Sequence, residues 1–130
     1  MREIKFRAFH KEQKVMCEVI SIGWIGDGSM GNILCHNIGH QHPSFYELMQ
    51  FTGLHDKNGK EIWEGDIIKD RGMISSGDAS KVVWSTPDAS WCLDGNDGFM
   101  TLGKHRGPVE GVIPQYEVLG NIYENTELLK

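Results

Sequence analysis

The sequence predicts a mainly β fold, a small barrel-like domain of short strands and hairpins. Apolar and polar side chains alternate with a period of two at the start of the chain, as in a half-buried strand. Asn58-Gly59 stands between two apolar runs and is typical of a hairpin turn. Sixteen glycines among 130 residues exceed the usual share of about 7%, which indicates many turns and long glycine-rich loops.

The first part of the chain predicts an N-terminal hairpin. Residues 4–8 alternate, residues 10–14 are polar, and residues 15–24 are rich in β-branched side chains. Residues 26–44 are punctuated by glycine and lack a sustained period, so we predict a long loop there with one short strand at 32–36.

The central segment predicts a second hairpin. Residues 45–54 have some helical propensity, but they lead directly into the Asn-Gly turn, which favours a strand at 49–54 paired with 61–63. Asp56 is placed to accept hydrogen bonds from this turn. Glu64-Gly65-Asp66 then predicts a sharp bend before a strand at 67–69.

The remaining elements are short. Turn-forming residues separate the predicted strands, the last of which carries a bulge at Gly120 and leads to a single helical turn capped by Asn125. No repeat or linker interrupts the chain, so we predict one domain over residues 1–130. The predicted strands are 81–84, 90–93, 98–102 and 116–123, with an irregular stretch at 103–114.

Several observations indicate a cytoplasmic protein. The N-terminus lacks the apolar core of a secretory signal, and no run of eighteen apolar residues predicts a membrane contact. Cys17, Cys35 and Cys92 form an odd set without CxxC spacing, which favours reduced thiols. The net charge of −5 argues against non-specific coating of nucleic acid.

Basic residues are concentrated at the start of the chain. Residues 1–14 carry a net charge of +3 and leave −8 on the rest. This basic segment is either a solvated strand face or a contact for an acidic partner such as nucleic acid. Its basic members are Arg2, Lys5, Arg7, Lys11 and Lys14.

One local cluster has the chemistry of metal ligands. Cys35, His36, His40 and His42 provide a thiol and three imidazoles within eight residues. A structural zinc site needs four converging ligands, and this run matches no standard spacing and lacks a second cluster. We therefore predict no metal or cofactor, with these residues as the candidates if a metal-dependent site exists.

Other motifs favour a structural role. Residues 26–31 match GxGxxG, but no helix follows on which a pyrophosphate would sit. The cysteines lack a catalytic signature, and the acidic residues fall mainly in turns. The four tryptophans are expected to fill the core of a short-stranded domain.

Three segments, residues 1–9, 48–69 and 116–129, resemble the YopX family of bacteriophage and prophage proteins. The segments read MREIKFRAF, LMQFTGLHDKNGKEIWEGDIIK and YEVLGNIYENTELL. The resemblance implies a β-rich, barrel-like domain without an established biochemical activity. The matching residues have turn, bend or core character and look like a fold signature: Arg7, Gln50, Thr52, Gly53, Leu54, Asp56, Gly59, Ile62, Glu64, Gly65, Asp66, Ile67, Gly120, Asn121, Ile122 and Glu124.

The leading functional hypothesis is a non-enzymatic phage or prophage protein that acts as a binding or assembly module. Its partner would be another protein or further copies of the chain joined through unpaired strand edges. One alternative is a nucleic-acid contact through the basic N-terminal segment. A second alternative is a metal-dependent enzyme that uses His36, His40 and His42.

Overall fold

The computed structural model describes residues 2–70, 79–95, 98–102 and 110–129. These ranges contain mainly β-strands, which confirms the predicted fold class, but the sheets are open and do not close into a barrel. The strands are β1 Phe6–His10, β2 Val15–Trp24, β3 Met30–Cys35, β4 Gly39–Gln41, β5 Tyr46–His55, β6 Glu61–Trp63, β7 Asp66–Asp70, β8 Ala79–Ser85, β9 Ser90–Gly95, β10 Gly98–Thr101 and β11 Tyr116–Asn121, and short 3-10 helices lie at Pro43–Phe45 and Thr126–Leu129.

The chain groups into two compact units. The N-terminal unit comprises residues 4–50, and the C-terminal unit comprises the described residues from Phe51 onward with Arg2 and Glu3. The single domain predicted for residues 1–130 stays a prediction.

In the N-terminal unit the strands pair antiparallel in the order β4-β3-β2-β1-β5. Because alternate residues of a strand face opposite sides, one face of this sheet collects the small and apolar side chains. Its buried core consists of Ala8, Cys17, Ile33, Cys35 and Tyr46.

The long loop predicted for residues 26–44 is wrong in part: the short strand predicted at 32–36 corresponds to β3, but the segment also contains β4, which was not predicted. A tight turn joins these strands, with left-handed backbone at Asn37 and Gly39. Gly31 lies within β3, at a position that favours glycine because an added Cβ atom would lie 2.8 Å from Cγ2 of Ile25. The glycines that suggested a loop therefore make the turns and close contacts of a hairpin.

In the C-terminal unit the part of β5 from Phe51 onward pairs with β6, and a second sheet has the order β10-β9-β8-β7-β11. The β5–β6 ladder is interrupted between Phe51 and His55. The Thr52 hydroxyl fills this interruption by donating to the Ile62 carbonyl over 2.6 Å. The buried core of the unit consists of Ile62, Ile68, Val82, Leu93, Leu102, Ile113 and Tyr116.

The predicted C-terminal elements need two corrections. β11 ends at Asn121, two residues earlier than predicted, although the register shift beside Gly120 confirms the bulge. The helical turn is a 3-10 helix at Thr126–Leu129, and the Asn125 side chain accepts a hydrogen bond from the Asn121 amide instead of capping that turn. Of the irregular stretch 103–114, residues 103–109 lie outside the described residues, while Val112 forms a bridge with His55.

Candidate functional site

The histidine cluster does not converge on one point. His36 follows β3, His40 lies in β4 with Nδ1 3.4 Å from Asn32 Oδ1, and His42 Nδ1 accepts the Ser44 amide of the following 3-10 helix. His40 pairs with Leu34, the residue before Cys35 in β3. Because successive residues of a strand face opposite sides of the sheet, the buried Cys35 side chain lies on the face opposite His40. Within the described ranges, no three His, Cys, Asp or Glu residues are arranged to hold a metal ion.

The three cysteines are buried and free, and two of them lie beside Tyr46. Burial raises the pKa of the Cys17 thiol, and the neighbouring Cys35 raises it further. Burial also raises the pKa of Cys35 and of Tyr46. Because the thiolate is the reactive form of cysteine, this arrangement suits core packing better than nucleophilic chemistry.

The basic N-terminal segment is divided by the structure. Arg2 belongs to the C-terminal unit, whereas the other four basic residues belong to the N-terminal unit. Lys11 forms an ion pair with Glu47 at 3.4 Å. Arg7 is half-buried and lies opposite Glu18 on β2. Part of the predicted positive surface is therefore used within the protein.

The side chain of Asp56, one of the matched family residues, accepts three backbone amides. Its side chain is 1% exposed, and Oδ1 accepts the amides of Asn58 and Lys60 at 2.8 and 2.9 Å. These two bonds confirm its predicted role in the turn, in which Gly59 has a φ of 79°. Oδ2 accepts the Val118 amide at 3.0 Å, which ties the turn to β11.

The same turn covers the outer edge of β11. Besides the bond from Val118 to Asp56, the Lys57 amide donates to the Tyr116 carbonyl over 2.9 Å. An uncovered edge strand presents unpaired amides and carbonyls to other chains. The Asp56 turn therefore satisfies backbone groups that would otherwise be open to strand pairing.

The segment around Gly120 also has a structural function. A Cβ atom at Gly120 would lie 2.6 Å from Cγ of Asn125, whose Oδ1 accepts the Asn121 amide. Asn121 in turn accepts the amides of Tyr123 and Glu124. The glycine thus permits the close approach on which this turn depends.

The matched residues Glu64, Gly65 and Asp66 form a tight turn between β6 and β7. Asp66 is buried and accepts the Trp63 amide at 2.8 Å. Gly65 has a φ of 84° and donates its amide to the Val82 carbonyl, while its own carbonyl accepts the Ile122 amide. The bend predicted at Glu64-Gly65-Asp66 is confirmed as a turn that joins three parts of the C-terminal unit.

Large apolar side chains lie exposed at the end of the β2–β3 hairpin. Trp24 is 64% exposed and Ile25 is 53% exposed, and we call these two residues the apolar tip. Ile20 is 59% exposed on the same strand, where the register shifts between Val19 and Ser21. Exposed tryptophan is typical of interaction surfaces, because truncation of such residues often costs most of the binding energy.

The apolar tip was not predicted from the sequence, which placed the tryptophans in the core. That expectation is wrong for Trp24 and for Trp84, which is 47% exposed and stacks edge-on against Trp91 across β8 and β9. At Trp24 the change of face follows a register shift after Gly23. The Asn32 side chain lies directly over Gly23. The glycine at this position is therefore the feature of the sequence that could have indicated the register shift.

In the part of the chain described, no helix is long and apolar enough to cross a bilayer.

Comparisons with known proteins identify the family and a structural relative. A family model described as YopX protein matches residues 5–130. The crystal structure of protein EF1440 from Enterococcus faecalis is similar, with a TM-score of 0.66, 25% sequence identity and 100% of both chains covered. Among curated proteins, nothing matches the chain.

Proposed function

The chain belongs to the YopX family, and from this membership together with its surface we propose that it is a non-catalytic binding or assembly module. The observation that carries the proposal is the apolar tip, where a tryptophan and an isoleucine are more than half exposed. Two large apolar side chains side by side in water favour a partner, because their burial is driven by the hydrophobic effect.

The hydrogen bonding of the matched family residues supports this proposal. Asp56, Asp66 and Asn121 spend side-chain acceptor atoms on backbone amides of turns. A catalytic carboxylate instead needs an acceptor directed toward a substrate. The matched family residues therefore suit a scaffold, and the exposed end of the β2–β3 hairpin suits recognition.

The proposed partner is a protein, and the proposed setting is a phage or prophage protein in the bacterial cytoplasm. A protein partner is favoured because the apolar tip offers an apolar contact, whereas a nucleic-acid partner would require a continuous basic surface. Lys11, which would contribute to such a surface, is paired with Glu47.

Site-specific photocrosslinking in bacterial cells tests the proposal. A photoreactive amino acid replaces Trp24 in one variant and Trp84 in a matched control, since both side chains are exposed and lie in different units. We expect position 24 to give a discrete protein adduct that position 84 does not give. No adduct from position 24, or the same adducts from both positions, would contradict the proposal.

A further inference from the structure

We propose that the apolar tip binds a second copy of this chain, so that the hairpins of two molecules meet around a twofold axis. The inference rests on the proposed function and names the partner. Three properties of the N-terminal unit carry it: the charge around the tip, the order of its turn and the area it exposes.

The charge distribution favours a neutral partner. Over residues 19–46, which include the tip and the residues of β2 that pair with β3, Asp27 is the one residue among Asp, Glu, Lys and Arg. The N-terminal unit as a whole has four basic and four acidic residues, whereas the complete chain has a net charge of −5. A strongly charged partner finds no complementary surface here, and two copies of the neutral unit meet without net repulsion.

The turn at the tip is held by its own hydrogen bonds. The Ile25 amide donates to the Ser29 carbonyl, and the Gly28 amide donates to the Ile25 carbonyl, each over 2.9 Å. The Asp27 carboxylate accepts both the amide and the hydroxyl of Ser29, at 2.9 and 2.6 Å. The apolar side chains therefore stand on an ordered turn, which lowers the entropic cost of binding.

The exposed area of the apolar tip determines the expected affinity of the dimer. Trp24 is 64% and Ile25 is 53% exposed, so the apolar tip exposes roughly 250 Å² per copy, given the size of such side chains. Two copies then bury an area below that of a standard stable interface of about 1,600 Å². We therefore expect a weak, reversible dimer with a dissociation constant on the order of micromolar or above.

Sedimentation velocity of the purified full chain tests the inference, with protein concentrations from about 1 to several hundred micromolar. The wild-type mass should rise with concentration toward twice that of the chain. Trp24→Ser should weaken the dimer about thirtyfold or more, as expected for a central tryptophan. Trp84→Ser is the matched control and should leave the dimer unchanged.

Two additions keep the test decisive. Ile25→Lys introduces a positive charge into each copy at an exposed position, so it should abolish the dimer without unfolding the chain, and circular dichroism checks the fold. Tryptophan emission with and without zwitterionic phosphatidylcholine vesicles tests whether the tip prefers a lipid surface.

Each outcome decides the matter. A monomer at every concentration overturns the inference, as does a dimer that both tip variants leave intact. A monomer whose emission shifts with vesicles, with the shift lost in Trp24→Ser, also overturns it and assigns the tip to lipid. A monomer that still gives a heterologous crosslink from position 24 overturns the inference alone and leaves the proposed binding function standing.

Discussion

Replacement of Asp56 by alanine should destabilise the C-terminal unit strongly. The carboxylate accepts three backbone amides, from Asn58, Lys60 and Val118, and it is buried. A hydrogen bond to a charged group contributes about 1.5–3 kcal/mol. Asn58 and Lys60 lie in an exposed turn, where water can accept hydrogen bonds from their backbone amides once the carboxylate is removed. Each of these two bonds therefore contributes only about 0.5–1 kcal/mol. The expected loss is therefore about 2.5–5 kcal/mol.

The conservative replacement separates hydrogen bonding from side-chain volume. Asp56→Asn retains one oxygen acceptor, which can serve the Asn58 and Lys60 amides, but it loses the second oxygen that serves Val118. We expect this variant to lose about 1.5–3 kcal/mol, which lies between wild type and Asp56→Ala.

Urea denaturation followed by circular dichroism measures these differences, and amide hydrogen exchange locates them. In both variants the Val118 amide should lose protection. Asp88→Ala is the control, because Asp88 lies in an exposed turn and bonds the nearby Ser85 hydroxyl. Its loss should stay within about 0.5–1 kcal/mol. A loss below about 1 kcal/mol for Asp56→Ala, or unchanged protection at Val118, would refute the reasoning.

Three further predictions follow from the same geometry. Burial and the nearby Asp70 raise the pKa of Tyr116 to about 12. The stability that the neutral phenol contributes is therefore complete below its unfolded pKa of about 10 and is lost as the pH rises toward 12. Tyr116→Phe should flatten the decline of the denaturation midpoint over that range, and an unchanged slope would contradict this. Gly120→Ala should cost about 1–3 kcal/mol, because its Cβ meets Asn125, and combination with Asn125→Gly should recover part of the loss in the same assay. Protein purified without a histidine tag should contain less than one equivalent of metal by elemental analysis, and an equimolar metal lost on replacing His40 and His42 would contradict this.

The fold could largely be predicted from local patterns because its strands and turns carry short-range signals. The β2 range 15–24 and the β6 range 61–63 agree with the structure, since β-branched runs and the Asn-Gly turn act within a few residues. β4 was missed because a three-residue strand has too few positions to show alternation. Whether the edges of the strands close into a barrel depends on long-range pairing, which no local pattern reports.

The contacts of the candidate site could be predicted only where they are local. The hydrogen bonds that Asp56 accepts from the backbone amides of Asn58 and Lys60 span two and four residues and follow from turn chemistry. The bond to Val118 spans 62 residues and depends on the tertiary structure. Exposure of Trp24 likewise depends on a register shift in the pairing of β2 with β3, and a one-residue shift moves side chains to the opposite face of a sheet.

The matched family residues and the exposed residues of the apolar tip differ in what their side chains do. Asp56, Thr52 and Gly120 lie in the segments that match the family pattern, and each is accounted for by a hydrogen bond or close approach in the C-terminal unit. Such residues specify a backbone, and one fold can carry different binding sites. Trp24 and Ile25 lie outside those segments and contribute exposed area instead of core packing. If the proposed binding function is right, exchange of residues 24–30 for those of another family member should change binding without changing the fold, and unchanged binding would contradict it.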